Sequence, residues 1–288
     1  MRAKGIDISH WQGSFDNMGN IDFVIIKATE GWGWVDPEFI EFVKAARKPY
    51  LDLITGEYKV PEVGVYHYYR TDFEAIEQAE HFWNTVKEYK PEFLAVDYEK
   101  KSNNLDEDAE GEFRKFWLHL ENLVKSDNKP ILLYTSPYIY RDNLCTYSTH
   151  WLNVPLWMAH YNYQDCQIGS PLVFDASGWI FWQWTDQYNG KLYGVGSENV
   201  DQNVYNGTVK QLHEWLKPQG DNDMDNKWYS SKTFWFSILF GLVSIAGSFG
   251  YGDFVPSPEL VQYVSIGISV IGAIVGVVVK YFENKSQP

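Results

Sequence analysis

Two carboxylates stand two residues apart in Val96-Asp97-Tyr98-Glu99, at the end of the apolar run that begins at Phe93. Side chains two apart on an extended strand point to the same side, so Asp97 and Glu99 can face one cavity. Carboxylates crowded in a partly apolar site have separated pKa values, and one stays protonated near neutral pH. Such a pair suits glycoside cleavage, in which one acid protonates the leaving oxygen and the other carboxylate stabilises the charge on the sugar.

The aromatic content favours a sugar ligand, because flat indole and phenol rings can stack on sugar rings. The chain has 13 Trp, 20 Tyr and 17 Phe. An aromatic-rich core explains this composition equally well. The aromatic residues expected near the carboxylates are Tyr66, Tyr134, Trp157, Tyr161, Trp182 and Trp184. Grouped acids also suit Mg²⁺ or Ca²⁺, and a metal-dependent hydrolase on the same scaffold would lose activity with a chelator.

Charge and cysteine content exclude several classes of protein. The formal net charge of −14 argues against binding of nucleic acid, which needs clustered Lys and Arg to neutralise phosphates. Two cysteines, Cys145 and Cys166, make neither a disulfide framework nor a four-ligand zinc site. The sequence leaves open whether they pair with each other. No apolar run follows the first residues, so no cleavable secretory signal is predicted.

The spacing of apolar residues predicts a barrel. Near-continuous apolar runs are typical of strands covered on both faces, and eight are found, at 5–8, 23–27, 63–67, 93–97, 131–134, 154–159, 179–183 and around 200–201. Helical periodicity occurs at 37–46, 72–86 and 105–123, and later connections are loop-like. Strands alternating with helices predict a parallel sheet, here an irregular TIM-like α/β barrel with few helices in its second half.

Chemistry in such barrels lies at the carboxyl ends of the strands. Eight polar side chains that could bind substrate or take part in catalysis fall at or just past a predicted strand end: Asp7, Lys27, His67, Asp97, Glu99, Tyr134, Gln183 and Asp201. Four of these are carboxylates from three separate parts of the sequence, and together they indicate a site.

The C-terminal part differs in composition. Residues 234–249 and 260–279 contain no charged side chain, and Gly272 and Gly276 form a G-x-x-x-G pattern that permits close helix approach in lipid. A membrane-spanning helix needs about 20 apolar residues. We therefore predict a barrel domain at 1–217, a polar linker at 218–230 and a two-helix transmembrane hairpin at 231–283. The alternative is a hydrophobic hairpin buried in an oligomer or a virion.

The motifs taken together resemble family 25 glycoside hydrolases, the Chalaropsis-type lysozymes. The resemblance spans about residues 3–216 in the family's order. It is carried by Gly5-Ile6-Asp7-Ile8-Ser9-His10-Trp11-Gln12-Gly13, Ile26-Lys27-Ala28-Thr29-Glu30-Gly31, Val63-Gly64-Val65-Tyr66-His67-Tyr68, Val96-Asp97-Tyr98-Glu99, Leu133-Tyr134-Thr135, Leu156-Trp157-Met158-Ala159-His160-Tyr161, Trp182-Gln183-Trp184-Thr185 and Asn199-Val200-Asp201-Gln202-Asn203-Val204-Tyr205-Asn206-Gly207.

The resemblance implies an irregular barrel with a groove at the strand ends, which cleaves the β-1,4 bond after N-acetylmuramic acid in peptidoglycan. Glu99 would be the general acid and Asp97 its partner carboxylate, with Asp7 and Asp201 as the other acids of the groove. A substrate-assisted mechanism is favoured over inversion by water, and no metal or cofactor is implied. The predicted substrate-binding residues are Lys27, Glu30, Tyr66, His67, Tyr134, Trp157, Tyr161, Gln183 and Trp184.

Residues 47–60 depart from the family by their length, and 51–54 with 58–60 predict a β-hairpin that is either inert or alters which glycan fits. The inert role is favoured. The C-terminal tail resembles phage holins, which suggests a membrane-associated phage protein, either a lysin in the host cell or a virion component. Its expected partners are a lipid bilayer, through 234–251 and 260–279, and other virion proteins or a second copy. The rival hypothesis is a membrane-penetrating virion protein that uses the barrel to bind glycan.

Overall fold

The computed structural model describes residues 1–17, 19, 21–52, 56–100, 105–161, 165–172 and 178–217. The predicted linker and hairpin, at 218–230 and 231–283, lie outside these residues and stay predictions. None of the helices within the described ranges has both the length and the apolar character needed to cross a bilayer.

Eleven strands and five helices are described. The strands are β1 (Lys4–Ile8), β2 (Phe23–Glu30), β3 (Trp34–Val35), β4 (Tyr50–Leu51), β5 (Tyr58–Lys59), β6 (Glu62–Tyr68), β7 (Phe93–Asp97), β8 (Ile131–Thr135), β9 (Leu156–Ala159), β10 (Trp179–Asn189) and β11 (Asn199–Tyr205). The helices are α1 (Phe39–Ala46), α2 (Ala75–Val86), α3 (Glu107–Val124), α4 (Pro137–Ile139), which continues as a π-helical turn at Tyr140–Cys145, and α5 (Val209–Leu216).

Eight strands close into a barrel, as predicted. Their order is β1-β11-β10-β9-β8-β7-β6-β2, and β1 also pairs with β2 to complete the ring, while β3 extends the sheet beyond β2. All three predicted helices are present as α1, α2 and α3, and only short helices follow β8. The barrel with few helices in its second half is therefore confirmed.

The prediction of a parallel sheet is wrong for the last strand. β11 runs antiparallel to both β10 and β1. The chain reverses between β10 and β11 through a short turn at Gly190–Tyr193, and Gly194 follows it with φ of 76°. An antiparallel pair can be joined by such a turn, whereas a parallel pair needs a long crossover. β11 therefore begins at the edge of the barrel where the parallel strands end.

Alternate residues of each strand point into the barrel, and at the amino ends of the parallel strands they form an apolar floor. We call the rings of Phe23, Phe93 and Phe181, together with Trp215 of α5, the barrel floor. Phe93 and Phe181 stack with ring centres 5.2 Å apart, and Trp215 lies 5.9 Å from Phe181. Thr208 caps the start of α5 by accepting a hydrogen bond from the Gln211 backbone N–H.

The predicted β-hairpin at residues 47–60 is confirmed as β4 and β5, which pair antiparallel. The Tyr50 hydroxyl donates to the Ile21 carbonyl at 3.0 Å, two residues before β2 begins. The hairpin therefore lies at the amino edge of the barrel, opposite the carboxyl ends of the strands. This position favours the inert role, although residues 53–55 are outside the described ranges.

Candidate active site

The fold brings the four predicted acids to one edge of the barrel; we call them the acidic site. Asp97 is the last residue of β7, and Glu99 follows two residues later. Asp7, near the end of β1, pairs in register with Asp201, near the start of β11. Because β11 is antiparallel, its start coincides with the ends of the other strands. The negative charge of Glu99 raises the pKa values of Asp7, Asp97 and Asp201, so the four groups interact electrostatically.

Asp7 is held by an oriented amide on one side. The hydroxyls of Tyr134 and Tyr161 donate to Gln183 Oε1 at 2.9 and 2.8 Å. The amide nitrogen Nε2 of Gln183 then donates to Asp7 Oδ2 at 2.8 Å. Since two hydroxyl donors occupy the amide oxygen, the amide NH₂ group must face Asp7.

A second amide holds Asp7 in the same way. The indole N–H of Trp157 donates to Asn203 Oδ1 at 2.7 Å, and Asn203 Nδ2 donates to Asp7 Oδ2 at 2.7 Å. One oxygen of Asp7 thus accepts two N–H bonds, an arrangement that stabilises the ionised carboxylate. Asp201 also hydrogen-bonds Asp7.

Burial raises the pKa of Asp7 to about 6, although the bonds from Gln183 and Asn203 oppose the shift. Burial, with the adjacent charge of Asp7, raises the pKa of Asp201 to about 9. The two carboxyl groups therefore share one proton near neutral pH, and it resides mainly on Asp201. Two adjacent negative charges repel each other, and the shared proton relieves that repulsion.

Asp97 is buried, with 7% of its surface exposed. Its Oδ1 atom has no hydrogen-bond partner among the described residues. Burial raises the pKa of Asp97 well above its ordinary value, and the negative charge of Glu99 raises it further, whereas Lys27 lowers it. An unsatisfied buried carboxyl oxygen is costly and is typical of a group that a ligand completes.

Lys27 and Glu30, both predicted to bind substrate, are bonded to each other at 2.7 Å. The Lys27 ammonium lies 5.1 Å from the ring centre of Trp34 and 5.0 Å from that of Tyr68. Arg70 also contacts Glu30, at 3.2 Å. Lys27 is buried in this arrangement, so its charge acts on the acidic site from a fixed position.

His67 lies elsewhere than predicted. It is fully buried, and its ring stacks on Phe116 at 5.3 Å, between the barrel wall and α3. One ring nitrogen hydrogen-bonds Thr29 Oγ1 at 2.8 Å and the other Gln78 Oε1 at 3.4 Å. Burial lowers the pKa of His67 to about 3, so the ring is neutral. The strand alternation that turns Tyr66 inward turns His67 outward, and His67 is a packing residue.

Three predicted sugar-stacking residues, Trp157, Trp182 and Trp184, are also placed differently. Trp157 is only 1% exposed and packs edge-to-face on Tyr134 at 4.4 Å, so it lies beneath the acidic site rather than against a ligand. Trp182 is fully buried with Trp179 and Val204 on the outer face of the barrel, and Trp184 packs against this cluster. The remaining predicted residues Tyr66, Tyr134, Tyr161 and Gln183 surround the acids.

Asn203 is a site residue to which the sequence analysis gave no role. It lies two positions after Asp201 on β11, so the period of two that places one side chain inward also places the other. Within the described residues, no group of three or more His, Cys, Asp or Glu side chains is arranged to hold a metal ion. Cys145 and Cys166 are both thiols and form no disulfide.

The comparison with known families agrees with this geometry. The family model described as "Glycosyl hydrolases family 25" matches residues 6–192. The chain therefore belongs to this family. The prediction of a glycoside hydrolase of the lysozyme class is confirmed.

Two similar sequences and one solved structure illustrate the relationship. A protein called YegX from Escherichia coli (strain K12) is 32% identical over 222 residues, which cover 74% of this chain and 72% of that protein. The autolytic lysozyme of Clostridium acetobutylicum is 30% identical over 205 residues, 69% of this chain and 55% of that enzyme. The structure of a family 25 glycosyl hydrolase from Bacillus anthracis aligns with a TM-score of 0.59 at 26% identity, covering 74% of this chain and 92% of that one.

Proposed function

We propose that this chain is an N-acetylmuramidase, which cleaves the β-1,4 bond between N-acetylmuramic acid and N-acetylglucosamine in peptidoglycan. The observation that carries the proposal is the placement of Asp97 and Glu99 at the end of β7, beside the proton-sharing pair Asp7 and Asp201. Membership of family 25 and the similarity to an autolytic lysozyme support it.

Glu99 is the general acid in this proposal. It donates its proton to the glycosidic oxygen as the bond from that oxygen to the sugar C1 breaks, and the carbonyl oxygen of the substrate's own N-acetyl group forms a bond to C1. Asp97 accepts a hydrogen bond from the acetamido N–H and stabilises the positive charge that develops there. Water then attacks C1 and breaks its bond to the acetamido oxygen, which opens the ring formed in the first step. Glu99 takes up the proton that the water releases.

The charge of each acid depends on the other. Repulsion from an ionised Glu99 raises the pKa of Asp97, so Asp97 ionises most readily when Glu99 carries its proton. That combination, Glu99 protonated and Asp97 ionised, is the one that the reaction needs. Gln183 and Asn203 keep Asp7 ionised on the opposite side, where it stabilises positive charge.

The product of digestion tests the proposal. Purified peptidoglycan is treated with the full-length chain in mild detergent, and the released fragments are analysed by mass spectrometry after borohydride reduction. We expect new reducing ends at N-acetylmuramic acid with the native chain and none with Glu99→Gln. Reducing ends at N-acetylglucosamine, or cleavage of amide bonds, would refute the proposed bond specificity.

We further propose that the uncharged spans at 234–251 and 260–279 hold the enzyme at a bilayer, as part of a phage lysin or of a virion-associated muramidase. Their length and small-residue spacing support this. Full-length protein should float with phospholipid vesicles in a density gradient, whereas a chain ending at residue 220 should stay at the bottom and remain soluble and active. Vesicle binding by the truncated chain would place membrane contact in the barrel instead.

A further inference from the structure

Three indole rings are exposed at the carboxyl edge of the barrel, outside the predicted site residues: those of Trp11, Trp32 and Trp34. Two of them, Trp11 and Trp34, contact the ring of His10. Trp11 is 78% exposed and Trp34 is 37% exposed. Trp11 lies in the short turn that follows β1, and Trp34 begins β3, which pairs with the end of β2 at Glu30. Large aromatic side chains are normally buried, so exposed ones beside a site suggest a ligand.

The rings are held in place by His10, which lies between them. The His10 ring centre is 4.5 Å from that of Trp11 and 5.5 Å from that of Trp34. His10 Nδ1 lies 2.8 Å from Asp36 Oδ2, and the His10 backbone N–H donates to the same oxygen at 3.1 Å. Asp36 is buried. The three rings, Trp11, His10 and Trp34, form one contiguous aromatic surface, which we call the tryptophan strip.

The tryptophan strip is continuous with the acidic site. The Lys27 ammonium lies 5.1 Å from the Trp34 ring, and its charge acts directly on Asp97. At the other side of the acids, the half-exposed ring of Tyr161 is fixed by its bond to Gln183. The carboxylates thus lie between two exposed aromatic surfaces.

We propose that the tryptophan strip is a glycan subsite, on which an uncharged N-acetylated hexosamine of the polysaccharide chain stacks next to the cleaved unit. This inference rests on the proposed function and specifies one end of its substrate path. Rings that already pack against one another before binding lose less conformational freedom when a sugar stacks on them, which favours affinity.

The charges around the strip favour a sugar over a stem peptide. Peptide stems carry carboxylates, which an uncompensated cation beside the strip would attract. Lys27 is ion-paired with Glu30, and Arg70 is ion-paired with Glu30 and Asp72. The Lys and Arg side chains described beside the strip are therefore already ion-paired, whereas the indole faces are accessible.

Binding measurements separate this subsite from catalysis. The full-length Glu99→Gln chain in mild detergent is titrated with the β-1,4-linked hexamer of N-acetylglucosamine, and again after adding Trp11→Ala. We expect Trp11→Ala to weaken binding about tenfold and Trp11→Phe to restore part of the loss, because a smaller flat ring can still stack. Tyr58→Ala serves as the matched control, since Tyr58 is 75% exposed on β5 at the opposite edge, and should leave binding unchanged.

Equal affinity with and without Trp11→Ala, or no binding of the hexamer by the Glu99→Gln chain, would overturn the subsite. The subsite would also be overturned if Trp11→Ala weakened binding of peptidoglycan that carries stem peptides but not binding of the hexamer. Trp11 would then contact peptide and not sugar. The two proposals fail separately. If the native protein cleaves peptidoglycan and Trp11→Ala does not weaken hexamer binding, only the subsite proposal is refuted. If hexamer binding depends on Trp11 but the native protein does not cleave peptidoglycan, only the muramidase proposal is refuted.

Discussion

At the amino ends of the parallel strands the barrel interior is filled by Phe23, Phe93 and Phe181, whereas at the carboxyl ends it contains Asp7, Asp97 and Asp201. The same inward positions of the same sheet therefore carry opposite chemistry at the two ends. Buried aromatic rings stabilise the fold, and buried carboxyl groups lower its stability unless they are protonated or hydrogen-bonded.

The difference suggests that the amino end of the barrel stabilises the fold and that the carboxyl end carries out the chemistry. The barrel floor is closed by α5 and has no polar role, so its side chains can be optimised for packing alone. The acidic site holds mutually repelling groups whose protons and bonds are arranged for chemistry, which proteins tolerate at a cost in stability. Substitutions at the two ends should consequently separate stability from activity.

Phe93→Ala should give the largest loss of stability. Phe93 is fully buried and contacts Phe181 and Trp215 across the floor. Removing such a ring should lower the free energy of unfolding by about 3–5 kcal/mol. Urea unfolding of full-length protein in mild detergent measures the change, and Phe93→Leu should fold and show a smaller loss. A loss below about 1 kcal/mol for Phe93→Ala would show that the floor is loosely packed.

Gly64→Ala tests the same floor from the neighbouring strand β6, where Gly64 pairs in register with Phe93. A Cβ atom at Gly64 would lie 2.2 Å from the Phe93 ring, so the ring must move. We expect a loss of about 1–3 kcal/mol, measured by the same unfolding assay.

Gly111→Ala is the matched control for this substitution. Gly111 lies inside α3, and its Cβ would meet nothing within 4 Å. This change should raise stability by about 0.5–1 kcal/mol because alanine favours a helix. Equal effects of the two alanines would contradict close packing at the floor.

Asp201→Asn should be more stable than the native chain, by a difference in the free energy of unfolding that grows as the pH rises. The pKa of Asp201 is raised to about 9 in the folded protein, against about 3.9 in an unfolded chain. The folded form thus holds the proton more tightly, and its contribution to stability is full below about pH 4 and is lost progressively up to about pH 9. Asparagine removes that loss, so the stability advantage of the variant over the native chain should be small at pH 4 and should grow steadily up to pH 8.

Unfolding curves at both pH values give this comparison. Asp16→Asn, which removes one exposed carboxylate away from the acidic site, is the control for net charge and should show no such trend. A pH-independent effect of Asp201→Asn would mean that Asp7 and Asp201 do not share a proton.

The sequence predicted the eight strands because each is a short apolar run, and such runs are dictated by burial on both faces. Apolar runs carry no direction, so the antiparallel course of β11 was missed. That course depends on the turn at Gly190–Tyr193, where local backbone conformation decides the topology.

Asp7, Asp97 and Glu99 could be predicted because they lie at or just past the ends of parallel strands, whereas Asp201 reaches the same edge from the start of the antiparallel β11. The neighbouring side chains were harder to place. His67 and Tyr66 are adjacent on β6, and only one of them can face inward; strict alternation would have excluded His67. Trp157 does point inward, yet Tyr134 covers it. Trp11 and Trp34 lie outside the barrel strands, where periodicity gives no information about exposure.

The most direct test of this account measures turnover and stability on the same preparation of Glu99→Gln. We expect cleavage of peptidoglycan to fall at least about 100-fold, as removal of a general acid requires, while the free energy of unfolding stays equal to that of the native chain or rises. Retained turnover would show that Glu99 is not the acid. Lost turnover accompanied by lost stability would show that the acidic site, like the floor, holds the fold together.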